Sequence, residues 1–188
     1  MRKWFIAAIL LVAFITIFWW RQSRREHRYD GAIRSAARRY QVDPALIKAV
    51  IWTESRFDAE ARGKAGEIGL MQILSPAASE WAKAEHKFFF TPENLLDPEE
   101  NTLAGTWYLR KLWQRYLKTD NPMPYALADY NAGRNNVLKW NRGPAATNSA
   151  AFIRNIGFPS TKKYVHSVMG RYEHYRGTFP PRERAATP

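Results

Sequence analysis

Residues 45–72 read ALIKAVIWTESRFDAEARGKAGEIGLMQ, and the rest of the chain is organised around them. Apolar residues at Leu46, Ile47, Ala49, Val50 and Ile51 follow a helical pattern, and Asp43-Pro44 supplies a cap and a first-turn proline. The pattern reaches Glu54 and Ser55 and breaks over residues 56–66. A carboxylate therefore sits at the end of an apolar helix, beside a loop that returns to Gly69-Leu70-Met71-Gln72. The negative end of the helix dipole and the apolar neighbours Ile51, Trp52 and Leu70 both disfavour its ionised form, so the spacing predicts a raised pKa and a general acid. On the residues alone, a surface Glu54 paired with Lys48 or Arg56 stays open beside that reading.

Outward from this stretch, the pattern is helical almost everywhere. Residues 22–40 form one helical stretch, with Ile33, Ala36, Ala37 and Tyr40 on one face. Ser75-Pro76 opens a helix through Trp81. Residues 86–97 read as irregular, with Phe88-Phe89-Phe90 either packing under the loop, which is the reading taken, or forming an exposed patch at the cleft or membrane. Asp97-Pro98 starts a helix whose Leu103, Trp107, Leu109, Leu112, Trp113 and Tyr116 keep helical spacing. A short helix over 124–132 ends at Gly133, a further one covers 134–140, and 141–151 reads as a loop. The last helix spans 161–175 with Tyr164, Val165, Val168, Met169 and Tyr172 inward. Residues 177–188 read as a disordered tail. No alternating strand pattern appears, so the expected fold is all-α, with domain boundaries at 1–21, 22–176 and 177–188.

Residues 4–20, WFIAAILLVAFITIFWW, contain no charge and one polar residue, Thr16. At about 1.5 Å per residue they span roughly 26 Å, the short end for a membrane helix, with Trp at both edges and Arg or Lys beyond. A cleavage site would need small residues near the end of the run, where Phe18-Trp19-Trp20-Arg21 stands. The reading is an uncleaved anchor.

The formal charge is +12, and there is no cysteine, which excludes disulfides, thiol chemistry and cysteine metal sites. A basic surface suits an anionic partner. No nucleic-acid motif, zinc spacing or His cluster is present, so neither nucleic acid nor a metal or other cofactor is expected.

Three motifs in order, Glu54-Ser55, Gly69-Leu70-Met71-Gln72 and Tyr130-Asn131-Ala132-Gly133, make the chain resemble the lytic transglycosylase SLT-domain family over residues 29–175. The resemblance implies a lysozyme-like helical fold of the family 1 type that cleaves peptidoglycan glycan strands. In that family a single Glu protonates the bond between N-acetylmuramic acid and N-acetylglucosamine. It then takes the proton of the muramyl C6 hydroxyl, leaving a 1,6-anhydromuramyl end. Carried over by motif, Glu54 is the acid then base, and Gln72, Met71, Tyr130, Asn131 and Tyr164 contact or brace the substrate. Tyr130 is expected to turn its hydroxyl toward Glu54.

Three departures stand out. Gly63 replaces a Ser that in many members holds the acetamido group. Ser160-Thr161-Lys162 replaces a Glu-Thr-Arg run before Tyr164. Asp129 stands where a small residue is usual before Tyr130.

The family needs no second carboxylate. Asp58, Glu60 and Glu67 in the nearby loop and Asp129 before Tyr130 are the candidates for one, each with a surface place as the default. Hydrolysis by a muramidase on the same fold, and an inactive envelope-assembly scaffold, are the alternatives. The resemblance places the catalytic domain in the periplasm of a bacterial inner-membrane protein, against a Lys/Arg count around residues 4–20 that points the other way. An envelope-spanning secretion machine is a further partner that the resemblance allows.

Overall fold

The computed structural model describes residues 2–181, without the side chains of residues 2, 3, 5–8 and 18–23. Among the described residues the elements are helical: α1 (Arg2–Arg28), α2 (Asp30–Tyr40), α3 (Pro44–Ser55), α4 (Ser75–Ala84), α5 (Pro98–Arg115), α6 (Pro122–Ala132), α7 (Arg134–Trp140), α8 (Ser149–Asn155) and α9 (Pro159–Thr178), with 3-10 turns at Pro92–Leu96 and Gly143–Ala146. The β-type pairings are isolated bridges, Arg62 with Ile68 and Ile68 with Ile73.

α3 is the central rod. Asp43 caps it by accepting the Ala45 N–H at 2.9 Å, and Pro44 fits the first turn, where no N–H is needed. Every residue from Pro44 to Ile51 is buried, Lys48 included. A buried ammonium needs a partner, and Lys48 donates to Asp30 at 2.7 Å beneath the Phe179 ring. α9 packs along α3, α5 packs on α2, and α6 bridges α5 to α9. The helix ends where Arg56 and Phe57 take positive φ, 55° and 63°, which turns the chain sharply away after Ser55.

Several sequence expectations shift. The stretch 22–40 breaks at Tyr29, and its first part continues α1. Phe88 and Phe89 do not pack under the loop. They are 85% and 97% exposed, and Phe90 alone of the three turns in, edge-on to Trp81 at 5.6 Å. The segment 141–151 is not a plain loop: it holds a 3-10 turn and the start of α8, which Asn148 caps through the Ala151 N–H. Seven-residue helices are too short to show a period. α9 runs on to Thr178 and Phe179 is buried against Arg34, so the tail begins later than 177, and residues 182–188 lie outside the described residues. Among the described residues no helix is long and apolar enough to cross a membrane. Part of the apolar run of residues 4–20 falls on side chains outside the description.

Candidate active site

Glu54 stands in the last turn of α3, half-buried. It is not the surface partner of Lys48 or Arg56. Lys48 pairs with Asp30, while Arg56 and Arg171 both stack on the Trp52 ring, 3.0 and 3.4 Å from its centroid. Burial pushes the Glu54 carboxyl up to about 7; the Tyr164 hydroxyl opposes part of the rise, and the charge of Glu67 adds to it. The phenols of Tyr130 and Tyr164 are held neutral, first by burial and then by the nearby Glu54. A carboxyl pushed up to about 7 lies where it can both give and take a proton near neutral pH, beside two phenols that stay neutral.

The Gly69–Gln72 turn is fixed from three sides. Ser55 Oγ donates to the Leu70 carbonyl at 2.8 Å, which ties the turn to α3. Tyr130 on α6 donates to the Met71 carbonyl at 2.7 Å. Asn101 on α5, fully buried, accepts the Met71 N–H and donates to the Ile68 and Leu95 carbonyls, each at 2.8 Å. Gly69 is needed there: its φ is 75°, and a Cβ would stand 2.2 Å from Asn101 Nδ2.

The expected site residues divide accordingly. Glu54, Tyr130 and Tyr164 come together. Tyr130 spends its proton on the Met71 carbonyl rather than on Glu54, because that buried acceptor lies in line. The Tyr164 hydroxyl is buried with no partner at ordinary hydrogen-bond geometry, and it is the phenol whose proton favours the Glu54 carboxylate. Met71 does not line the cleft. Its side chain is fully buried against Gly105, where a Cβ would come within 2.5 Å of the thioether sulfur. Gln72 is half-buried; its Nε2 braces the loop by donating to the Ala61 and Gly69 carbonyls at 3.0 Å, leaving Oε1 as its free end. Asn131 braces α6 to α9 by accepting from Thr161 Oγ1 at 2.8 Å.

Asp129 faces away from Glu54. It is buried under the Tyr116 hydroxyl at 2.7 Å and Arg115 at 3.1 Å, and so is no second carboxylate of this cleft. Asn101 is a further residue of the site that no sequence motif contains. Nothing local marks it, since Asn101 stands between Glu100 and Thr102 in the polar first turn of α5, and only the folded Gly69–Gln72 turn singles it out. Among the described residues no group of three His, Cys, Asp or Glu could hold a metal ion.

Comparison with known proteins places this arrangement. The family model of the transglycosylase SLT domain matches residues 31–153, which holds Glu54, the Gly69–Gln72 turn and Tyr130. The chain belongs to the SLT-domain family. Among its relatives is the membrane-bound lytic murein transglycosylase C of Shigella sonnei, 38% identical over 122 residues, covering 62% of this chain and 34% of that protein. The soluble lytic murein transglycosylase of Escherichia coli K12 is 30% identical over 157 residues, covering 80% of this chain and 24% of that protein. The SLT domain also shares its fold with the crystal structure of the 70 kDa soluble lytic transglycosylase from Escherichia coli, with a TM-score of 0.71 and 28% identity over 80% of this chain and 24% of that one. The chain thus spans about a third to a quarter of the length of these relatives.

Proposed function

We propose that this SLT domain is a peptidoglycan lytic transglycosylase in which Glu54 acts first as acid and then as base. The observation that carries the reading is a half-buried carboxyl pushed up to about 7, next to two neutral phenols, in a domain of this family. A group that titrates near the working pH can both give and take a proton in one cycle. As the acid, Glu54 protonates the glycosidic oxygen between N-acetylmuramic acid and N-acetylglucosamine. As the base, it accepts the proton of the muramyl C6 hydroxyl while that oxygen bonds to C1. The product carries a 1,6-anhydro ring, and no water is consumed. Tyr164 is the donor that steadies the carboxylate between the two transfers, and Gln72 offers Oε1 to the sugar.

The N-terminal helix α1 is proposed as the membrane anchor. Ile9, Leu10, Leu11, Val12 and Phe14 on it are 54–68% exposed, and a lipid phase is the surrounding that lowers the cost of such a run. The domain then works on the wall side of a bacterial cytoplasmic membrane, where its polymer lies.

Mass spectrometry of the products from purified peptidoglycan tests the reading. Anhydro ends are expected, one water lighter than the reducing ends a muramidase leaves, and reducing ends would overturn it. Glu54→Gln should lower turnover about 10²- to 10⁴-fold, since the amide has no acid proton to give.

A further inference from the structure

The acid–base cycle leaves one group of the site unused. Glu67 lies on the loop between α3 and the Gly69–Gln72 turn, and the loop folds back on itself there. The Gly63 N–H donates to the Glu67 carbonyl at 2.8 Å, and the bridges Arg62–Ile68 and Ile68–Ile73 clamp the return. The Glu67 side chain is thereby laid across Gly63. A Cβ at residue 63 would stand 2.1 Å from one carboxylate oxygen of Glu67 and 3.0 Å from Gln72 Oε1. The missing side chain at 63 is what makes room for the carboxylate.

The orientation of the Gln72 amide is fixed independently, because Nε2 meets two carbonyls, Ala61 and Gly69. Its oxygen is therefore the end turned toward Glu67. Two acceptors converge where a residue-63 side chain would stand, and the charge of Glu67 reaches Glu54. Among the described residues Glu67 enters no ion pair, and its carboxylate accepts one neutral donor, the Ala65 N–H at 2.9 Å. A half-buried carboxylate beside an amide oxygen, with no cation, is a place of unbalanced negative potential. In a resting protein that is a cost; for a reaction that develops positive charge it is a fixed stabiliser.

We propose that Glu67 is a second carboxylate of the active site, which stabilises the positive charge that develops on the sugar as the glycosidic bond breaks. The proposal rests on the transglycosylase reading above. Glu54 gives its proton to the glycosidic oxygen, and the C1–O bond breaks with its electron pair left on that oxygen. The charge left on C1 and the ring oxygen is opposed through space by Glu67, which forms no bond. The C6 hydroxyl oxygen then bonds to C1, its proton passes to Glu54, and Glu67 is unchanged. The charge of Glu67 also adds to the rise that burial imposes on the Glu54 carboxyl. The other groups that face Glu54 are Tyr164 from α9 and Tyr130 from α6, both neutral, so Glu67 is the charged neighbour.

The test compares the full chain in detergent with Glu67→Gln and Gly63→Ala on soluble glycan strands. Gly63→Ala keeps the charge but drives the carboxylate from its place. Glu67→Gln should lower kcat roughly ten- to a hundredfold with KM nearly unchanged, and should move the high-pH limb of activity to lower pH. Gly63→Ala should lower kcat too, and Glu67→Asp should recover part of the loss. A folded Glu67→Gln protein with wild-type kcat and an unmoved pH limb overturns the proposal. Should that variant not fold, wild-type kcat in Gly63→Ala overturns it equally. Reducing ends, or no product, from the unaltered chain would instead mark failure of the transglycosylase reading.

Discussion

The Tyr130 hydroxyl donates to the Met71 carbonyl at 2.7 Å, so α6 is bonded to the turn that carries Gln72 and not to the carboxyl of Glu54. Tyr130→Phe leaves that buried carbonyl without its donor. The expected cost is about 1–3 kcal/mol of stability, read as a lower thermal midpoint, with a smaller effect on turnover than removal of the Tyr164 hydroxyl. A midpoint equal to wild type would show that the bond carries no weight.

Tyr164→Phe should behave in the opposite way. Its hydroxyl is buried without an ordinary partner, so losing it leaves stability unchanged or slightly higher. Turnover should fall roughly ten- to a hundredfold, because the ionised Glu54 loses its donor. Turnover and thermal midpoint measured on the same sample separate the two tyrosines, and full activity in Tyr164→Phe would take Tyr164 out of the proton-transfer machinery.

Glu54 should leave a mark on both activity and stability against pH. As the acid it must be protonated, so rates should fall above about 7. Its folded value lies above the ordinary 4.5. Below 4.5 both folded and unfolded chains hold the proton; between 4.5 and about 7 the unfolded chain releases it first, so stability declines as pH rises. The full decline is roughly 3 kcal/mol above pH 7. Glu54→Gln, neutral throughout, should therefore melt higher than wild type at pH 8 and close to it at pH 4. Parallel melting curves across that range would contradict the buried, raised carboxyl.

Asn101→Leu removes one acceptor and two donors from a dry site at once. The Met71 N–H and the carbonyls of Ile68 and Leu95 lose their partners. A loss of about 3 kcal/mol or more is expected, together with a fall in turnover through misplaced Gln72 and Glu67. Asn101→Asp keeps the acceptor but sets a second oxygen against both carbonyls in a dry site, so it should cost at least as much as Asn101→Leu. Urea unfolding monitored by tryptophan fluorescence ranks the three proteins.

How far the sequence revealed this molecule depends on the scale of the interaction. The helix from Pro44 to Ser55, its Asp43 cap and the carboxyl at its end were legible, because cap, period and break all lie within a few residues. The Gly133 stop of α6 was legible for the same reason. The direction of the Tyr130 proton was not, since it depends on a carbonyl 59 positions earlier in the chain. Met71 looked like a cleft residue next to Gln72, yet it fills the gap left by Gly105, a contact that no local pattern encodes. Glu67 was visible as one acid among several in the loop, and only the folded return over Gly63 singles it out. For Phe88 and Phe89 the sequence left burial and an exposed patch both open, and the structure leaves them outside.

One joint is missing from this protein. α1 runs unbroken from Arg2 to Arg28, and α2 begins two residues later, with no glycine- or proline-rich tether between them. The Tyr175 hydroxyl donates to Glu26, and Asp30 is held by the buried Lys48, so the base of the arm is bolted to the catalytic body on two sides. With α1 in the membrane as proposed, these two contacts hold the cleft close to the lipid. The glycan strands it would then meet first are those nearest the membrane.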